Sequence, residues 1–336
     1  LFIFCFSFTL FAQKATEKKA NALFEKRSYV KAAEMYEQLK ESQVILQNLG
    51  DCYYNNSQMI DAVRVYGKLF LSYKDSVAPE YYFKYAHSLL GTADYTKADA
   101  IMGEYLKYEI STPKFIANLV TNVPYNYEIQ SMSKNTTNGD FGMSFYGDKV
   151  AFASLRNSDS KSFGWNDKPY LDLFSANVSD KGLLANVEPF PKEINTKTHE
   201  SSATFSADGR IMYFNRTNDK KVKIGDEKIA VIKIFKAEFI DGKWTNVKEL
   251  PFCSDIYSTE HPVLSKDGKK LYFSSDMPGT LGSFDIFVVD VNEDGTFGQP
   301  QNLGKAVNTI HIEQFPFISD DGTILYFAAD GHQGMG

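Results

Sequence analysis

The chain has 336 residues, 43% of them apolar and 15% aromatic, enough for about two or three domains with sizeable cores, which excludes global disorder. Its net charge of −6, with no long run of Lys or Arg, excludes a nucleic-acid partner, which needs a basic stripe to neutralise phosphates. Three cysteines are too few for a disulfide-built scaffold, so stability has to come from packed cores.

The first twelve residues, LFIFCFSFTLFA (1–12), are continuously apolar and give way at once to QKATEKK. Such a run is too short to cross a bilayer but matches the core of a secretory signal peptide, with cleavage expected after Ala12. The alternative is a buried first helix, against which the abrupt polar switch argues. Cys5 lies inside the run and not at its end, so a lipoprotein anchor is not expected. The chain opens without Met or a basic leader, and its start is expected to lie upstream. Of the other cysteines, Cys52 falls in a helical region and Cys253 in a β region, so no disulfide between them is expected.

Residues 13–112 read as helix after helix. In LGDCYYNNSQMIDAVRVYGKLF, Leu49, Gly50, Tyr53, Ala62 and Tyr66 fall at the spacing of a tetratricopeptide repeat. Small residues there let two antiparallel helices approach, and large ones fill between them. A copy upstream uses Ala20, Leu23, Ala32 and Tyr36; one downstream uses Ala86, Leu89, Ala98 and Met102. The alanines at 32, 62 and 98 lie 30 and 36 residues apart, bracketing the ideal of about 34. Pro79 separates the second and third copies, and Pro113 is expected to end the array, since proline cannot donate the helical hydrogen bond. The inner face of such a stack is the natural groove for a polypeptide. Counting within the motif places Gln47, Asp51, Tyr54 and His87 on that face, against the blander reading that these are solvated positions. The Lys/Asn clamp that grips C-terminal carboxylates is not visible.

Residues 113–140, with Pro113, Pro124 and SKNTTNGD, read as a connector that gives one strand, near Tyr127–Met132, to the next domain. From 141 to 336 the pattern is β. TFSADGRIMYF (204–214), VLSKDGKKLYF (263–273) and FISDDGTILYF (317–327) each set an Asp-Gly turn between two alternating apolar runs, and SFYGDKVAFAS (144–154) is a looser copy. From Gly147 to Gly209, Gly268 and Gly322 the intervals are 62, 59 and 54 residues, which suits propeller blades with loop insertions. YLDLFSANV, AVIKIFKAEF and SFDIFVVDV supply third strands, and weaker outer strands follow near Lys243–Val247 and Thr296–Gln299. Four strands per unit is the propeller blade count. Roughly three and a half blades cannot close and would leave strand edges unpaired, so the chain is expected to continue beyond Gly336. The fold class is multidomain α plus all-β, a tetratricopeptide α-solenoid followed by a partial β-propeller.

The carboxylates of Asp208, Asp267 and Asp321, beside Gly209, Gly268 and Gly322, are read as turn residues and not as catalysts, because a turn needing positive φ prefers Asp and Gly. DVNEDG (290–295) imitates the start of a calcium loop, with Asp290, Asn292 and Asp294 before Gly295. Such a loop needs flanking helices and a bidentate Glu at its twelfth position, where Gln301 stands, so a hairpin turn is the reading. His199-Glu200, Glu260-His261 and His311 with Glu313 recur where blades begin. Converging imidazoles could hold a metal; bonding to loop backbone or lining a polar rim is the reading adopted, and no metal or cofactor is expected. No Gly-x-Ser-x-Gly elbow, phosphate-cradling loop or metalloprotease helix occurs, so no catalytic residue is assigned and an enzyme is not expected.

The phrase F-S-x-D-G-x-x-x-Y-F resembles the WD40-like repeats of TolB-type propellers. With NTTNGDFGMSFYGDKVAFAS, PYLDLF, INTKTHESSATFS and SSDMPGTLGSFDIFVVD, and with the helical repeats in front, residues 14–336 resemble OmpA-family envelope proteins of Bacteroidota, in the PorE-like group associated with type IX secretion. The resemblance implies a non-catalytic scaffold that arranges envelope proteins at the periplasmic face of the outer membrane, exported and without a transmembrane helix in the mature fragment. It also implies a carboxypeptidase-regulatory-like β domain and a peptidoglycan-binding OmpA-like domain after the propeller. Neither is in this sequence, so peptidoglycan binding falls to none of these residues. Two readings remain beside it: a periplasmic glycan- or ligand-binding sensor, and the regulatory propeller of a serine peptidase whose catalytic domain would follow.

Overall fold

The computed structural model describes residues 16–122, 131–179, 182–224 and 227–330. The apolar leader lies outside them, as does the strand expected near Tyr127–Met132 except for its last two residues, which form no strand. The chain divides into two compact units, one holding the helices with Ser162–Lys168 and the other holding Gln130–Lys161 and Pro169–Gly334. No described helix is long and apolar enough to cross a membrane.

The helical unit comprises α1 (16–25), α2 (Tyr29–Tyr36), α3 (Gln43–Asn55), α4 (Met59–Tyr73), α5 (Pro79–Gly91), α6 (Tyr95–Leu106) and α7 (Thr112–Asn122). From α2 onward each helix packs on its successor. Three of the turns reverse the chain in the same way. Arg27, Ser57 and Ala93 sit at φ of 58°, 55° and 60°. The residue after each donates its N–H backwards, Ser28 to Leu23, Gln58 to Tyr53 and Asp94 to Leu89, at 2.8, 2.9 and 3.0 Å. This left-handed helix stop usually takes glycine; a side chain there costs roughly 1 kcal/mol. The turns repeat at the 30 and 36 residue intervals of Ala32, Ala62 and Ala98, all three buried, so backbone and side chains recur in step.

Gly50 occupies the place of the buried Ala20 and Ala86. A Cβ there would lie 2.3 Å from Cε1 of Tyr66, a fully buried ring of α4. The missing methyl is what lets α3 seat against that ring.

The connector expected at 113–140 is corrected in two respects. Its first residues belong to α7, and Pro113 stands in that helix's first turn, where the missing N–H has no intrahelical partner to lose. Asp99 of α6 accepts the Thr112 N–H at 2.9 Å and its hydroxyl at 2.6 Å, which fixes the start of α7. Proline thus opens a helix here and does not close the array.

The β unit contains β1 (Asp140–Tyr146), β2 (Lys149–Ser154), β3 (Asp172–Val178) and β4 (Leu184–Pro189) in one up-and-down sheet. The second sheet runs β5 (Glu200–Phe205), β6 (Ile211–Thr217), β9 (Ile232–Ile240), β10 (Lys243–Glu249), with a separate hairpin, β7 (Val222–Ile224) and β8 (Glu227–Ile229), inserted between β6 and β9. The third comprises β11 (Thr259–Leu264), β12 (Lys270–Ser275), β13 (Asp285–Asp290) and β14 (Gln301–Asn302), and a hairpin of β15 (Glu313–Ile318) and β16 (Leu325–Ala329) follows. First strands neighbour one another, β1 beside β5, β5 beside β11 and β11 beside β15, so the sheets fan outward from a shared inner row in a propeller-like arrangement. The outer strand of the third sheet is not at Thr296–Gln299. Gly298 and Pro300 interrupt that run, since proline cannot donate to a ladder, and pairing resumes only at Gln301–Asn302. The DVNEDG segment closes a hairpin, with Val291 bridged to Phe297 and Gly295 at φ 79°.

The turn between first and second strands is a serine-aspartate clasp. Ser206 Oγ donates to Asp208 Oδ1 at 2.6 Å and accepts the Ile211 N–H at 2.9 Å. Ser265, Asp267 and Lys270 repeat this, as do Ser319, Asp321 and Ile324, at the same distances. Gly209, Gly268 and Gly322 take φ of 69°, 73° and 70°. The serine hydroxyl, aided by backbone N–H groups, holds all three carboxyls below the usual range, Asp321 at about 2. A second device recurs in the first strands. Each breaks register at a bulge whose left-handed residue is Gly142, Ser202, His261 or Phe315, at φ 59°, 44°, 55° and 53°.

Gly50→Ala tests the helical packing. The overlap with Tyr66 costs about 2–3 kcal/mol and helix propensity returns about 1 kcal/mol. A net loss of about 1–2 kcal/mol in unfolding free energy is expected, read from a lowered urea midpoint of the helical signal at unchanged slope.

Candidate functional site

The four residues expected to line a groove all lie on α3 and α5, but they play different parts. Asp51 is buried: it accepts the Tyr66 hydroxyl at 2.7 Å and Lys84 Nζ on both oxygens at 2.9 Å. It ties α3 to α4 and α5 and presents no open carboxylate. Tyr54 and His87 share a hydrogen bond of 2.7 Å between Oη and Nδ1. Burial holds the His87 imidazole below its ordinary range, so it is neutral near pH 7. Phe83, 52% exposed, lies 5.7 Å from the His87 ring, and Gln47 is half-buried one turn before Asp51. The result is an aromatic and imidazole face, pinned from below by an ion pair. Such a face can hold the apolar and hydrogen-bonding groups of an extended peptide.

In the β unit the sequence carries a further signal that the turn and strand patterns do not reveal, Asn-Thr-x-x-x-Asp/Glu, at 135–140, 195–200 and 308–313. The acid opens the innermost strand and is gripped by the threonine. The Thr136 N–H and hydroxyl donate to Asp140 at 2.5 and 3.1 Å. Those of Thr196 donate to Glu200 at 3.0 and 2.6 Å, and those of Thr309 to Glu313 at 2.9 and 2.6 Å. Asn195 meanwhile clasps both backbone polar groups of Leu173, and Asn308 those of Ile286, at 2.8–3.0 Å. In the first two sheets a guanidinium completes the cage. Arg156 Nη2 reaches Asp140 at 2.7 Å, lying over Phe152 and Phe174 at 5.0 and 5.2 Å. Arg216 Nε reaches Glu200 at 3.0 Å, over Phe214 and Phe235 at 5.2 and 4.8 Å. Burial alone would raise Asp140, but bonds from Ser154, Thr136 and Arg156 hold it below the usual range. Glu200 is buried more deeply, and burial carries it up to about 7 against Thr196 and Arg216.

The third sheet departs from this plan. Cys253 stands where the others have Asn, with the Ile234 N–H donating to Sγ at 3.4 Å, and Thr259 opens the innermost strand. Glu260 is therefore not the counterpart of Glu200 and Glu313, as the recurrent His/Glu pairs imply, but stands one residue further on, beside the bulge. Its cross-strand neighbour is Ser274, and its carboxylate accepts from Nε2 of Gln314 on β15. Burial pushes Glu260 up to about 7, with Gln314 opposing and Asp276 adding to the rise. The His261 ring lies 3.8 Å from that of Phe315, and burial holds its imidazole down at about 3. His261 Nδ1, 3.8 Å from Glu260 Oε1, has no hydrogen-bond partner; nor have the buried Ser274 Oγ and Asn215 Nδ2.

The other histidines go elsewhere. His199 Nδ1 accepts the Leu171 N–H at 3.1 Å with its ring 4.4 Å from Tyr170, and His311 is exposed. Among the described residues no group of three His, Cys, Asp or Glu is placed to hold a metal.

Two measurements probe these acids. Arg216→Met strips the guanidinium from a buried carboxylate and should cost the β unit about 3–5 kcal/mol, part of it restored by adding Glu200→Gln. Glu260, near 4.5 when unfolded and about 7 when folded, favours the folded state most below pH 4.5. That contribution is lost as pH rises through 7. Thermal melts across this window should show a decline that Glu260→Gln flattens.

No protein-family model and no curated protein matches the chain. Among solved structures, a candidate TolB from Agrobacterium tumefaciens is 20% identical over 59% of this chain and 60% of that one, with a TM-score of 0.35. A puromycin hydrolase is 13% identical over 57% and 36%, at 0.33, and a prolyl endopeptidase 16% identical over 51% and 22%, at 0.30. The chain thus spans three fifths or less of the length of these proteins, and likeness at this level carries no argument about function.

Proposed function

We propose that the chain is a non-catalytic protein-interaction scaffold of the bacterial cell envelope. Its helices act as three tetratricopeptide repeats, and its sheets as part of a TolB-type WD40-like propeller. The observation that carries the reading is the Tyr54, His87 and Phe83 face, where apolar and hydrogen-bonding groups stand at the surface of a unit otherwise built from repeating core positions. Support also comes from the half-buried Asp140 and the buried Glu200 and Glu313, whose bonds to threonine, and for the first two to arginine, are those of a framework and not of a reaction site. The leader and the matched phrases favour export to the periplasmic face of the outer membrane, within the type IX secretion apparatus. Anchoring to peptidoglycan then belongs to an OmpA-like domain of the intact protein.

A photo-crosslinking amino acid at position 83 of the intact protein, in its native cells, tests this. It should capture a defined envelope protein. With that partner purified, His87→Ala should weaken binding about tenfold, a loss of about 1.4 kcal/mol. Absence of any crosslink, or peptide hydrolysis by the intact protein through a Ser-His-Asp domain, would replace the scaffold by the regulatory half of a peptidase.

A further inference from the structure

The first two sheets show how this fold keeps a carboxylate out of water: threonine donors in front, and a guanidinium over a cross-strand phenylalanine pair behind. Glu260 has the burial without that equipment. Among the described residues its hydrogen-bond partner is the Gln314 amide, and no Lys or Arg forms an ion pair with it. Around it lie buried polar atoms without a partner, among them the Asn215 Nδ2 donor. The His261 Nδ1 and Ser274 Oγ, both buried, have no partner, and Asp276 adds negative charge nearby. At the rim stands Phe315, 57% exposed, stacked on the His261 ring. A buried carboxylate, two unpartnered polar atoms that can each accept a hydrogen bond and an open aromatic face together suit a cation with several donors in a plane. Arginine supplies that in two of the other sheets from within the chain.

We propose that Glu260, on β11 where it faces Gln314 of β15, receives the guanidinium of an arginine side chain carried by a partner polypeptide. The guanidinium displaces the Gln314 amide, pairs with both carboxylate oxygens, turns a further N–H toward Ser274 and His261, and lays its face on Phe315. A lysine ammonium fits less well, as a point charge with no plane to stack. The inference deepens the interaction reading for the β unit and is independent of the α3 and α5 face. Its failure would leave crosslinking at position 83 untouched, and the reverse holds too.

The test is calorimetric titration of the whole chain, at about pH 8, with the blocked tripeptides acetyl-Gly-Arg-Gly-amide, acetyl-Gly-Lys-Gly-amide and acetyl-Gly-citrulline-Gly-amide. The arginine peptide should bind at least about tenfold more tightly than its neutral citrulline isostere, with lysine between them. Glu260→Gln should bring arginine down to the citrulline level, Phe315→Ala should weaken it several-fold, and Gln314→Ala should strengthen it by freeing the carboxylate. Arginine and citrulline binding alike, lysine binding best, no heat with either wild type or Gln314→Ala, or indifference to Glu260→Gln would each overturn the assignment. Should Glu260→Gln fold poorly, the isostere comparison and Gln314→Ala still decide.

Discussion

Removing a carboxylate from water is among the most expensive things a small β unit can do, and this one does it at the start of innermost strands. A buried anion without partners costs several kcal/mol. Glu200 and Glu313 are nevertheless fully buried, because each reaches back four residues to a threonine that offers two donors at once. The strand cannot begin elsewhere without orphaning the acid, so its starting point is fixed by electrostatics before any apolar contact is counted. The adjoining Asn then stitches the preceding loop to a third strand by both of its backbone groups. One hexapeptide therefore sets where a sheet begins and how it meets the sheet before it.

Much of this organisation could be read from residue order alone, where the signal is short-range. The Asp-Gly phrases lie between strands whose pairing follows them, and the third strands fall where the β-branched and aromatic runs stand. Other features depend on partners distant in sequence and were not readable. Asp51 looks like any polar residue of an amphipathic helix until Lys84, 33 residues on, is seen to cover it. Pro113 reads as a terminator unless one knows that Asp99 waits to cap the helix it begins. The Asn-Thr-acid hexapeptide was in plain view three times, yet its meaning lies in geometry: only a bent-back chain brings the carboxylate onto the threonine N–H. The offset of Glu260 by one residue was hidden because a period-two strand makes neighbouring positions look interchangeable in a pattern while placing them on opposite faces.

The two units handle their surfaces differently. In the helical unit, polar residues that tie helices together are buried beneath the face they support, so Tyr54 and His87 stand on a stiff floor of Asp51, Tyr66 and Lys84. In the β unit, regularity itself marks what is unusual. Where three sheet openings obey one rule, the residues of the fourth that break it stand out. The contrast between Glu200, which has an arginine, and Glu260, which has a glutamine, is more informative than either acid alone.

The bulge in each first strand also bears on how such a protein can diverge. Its left-handed residue is glycine in one sheet and serine, histidine and phenylalanine in the others, so backbone strain is tolerated whatever side chain stands there. That side chain contributes nothing to the ladder of strand hydrogen bonds. Selection can exchange it, sheet by sheet, without renegotiating the architecture, and the inner row becomes a set of sockets whose contents drift independently of the frame.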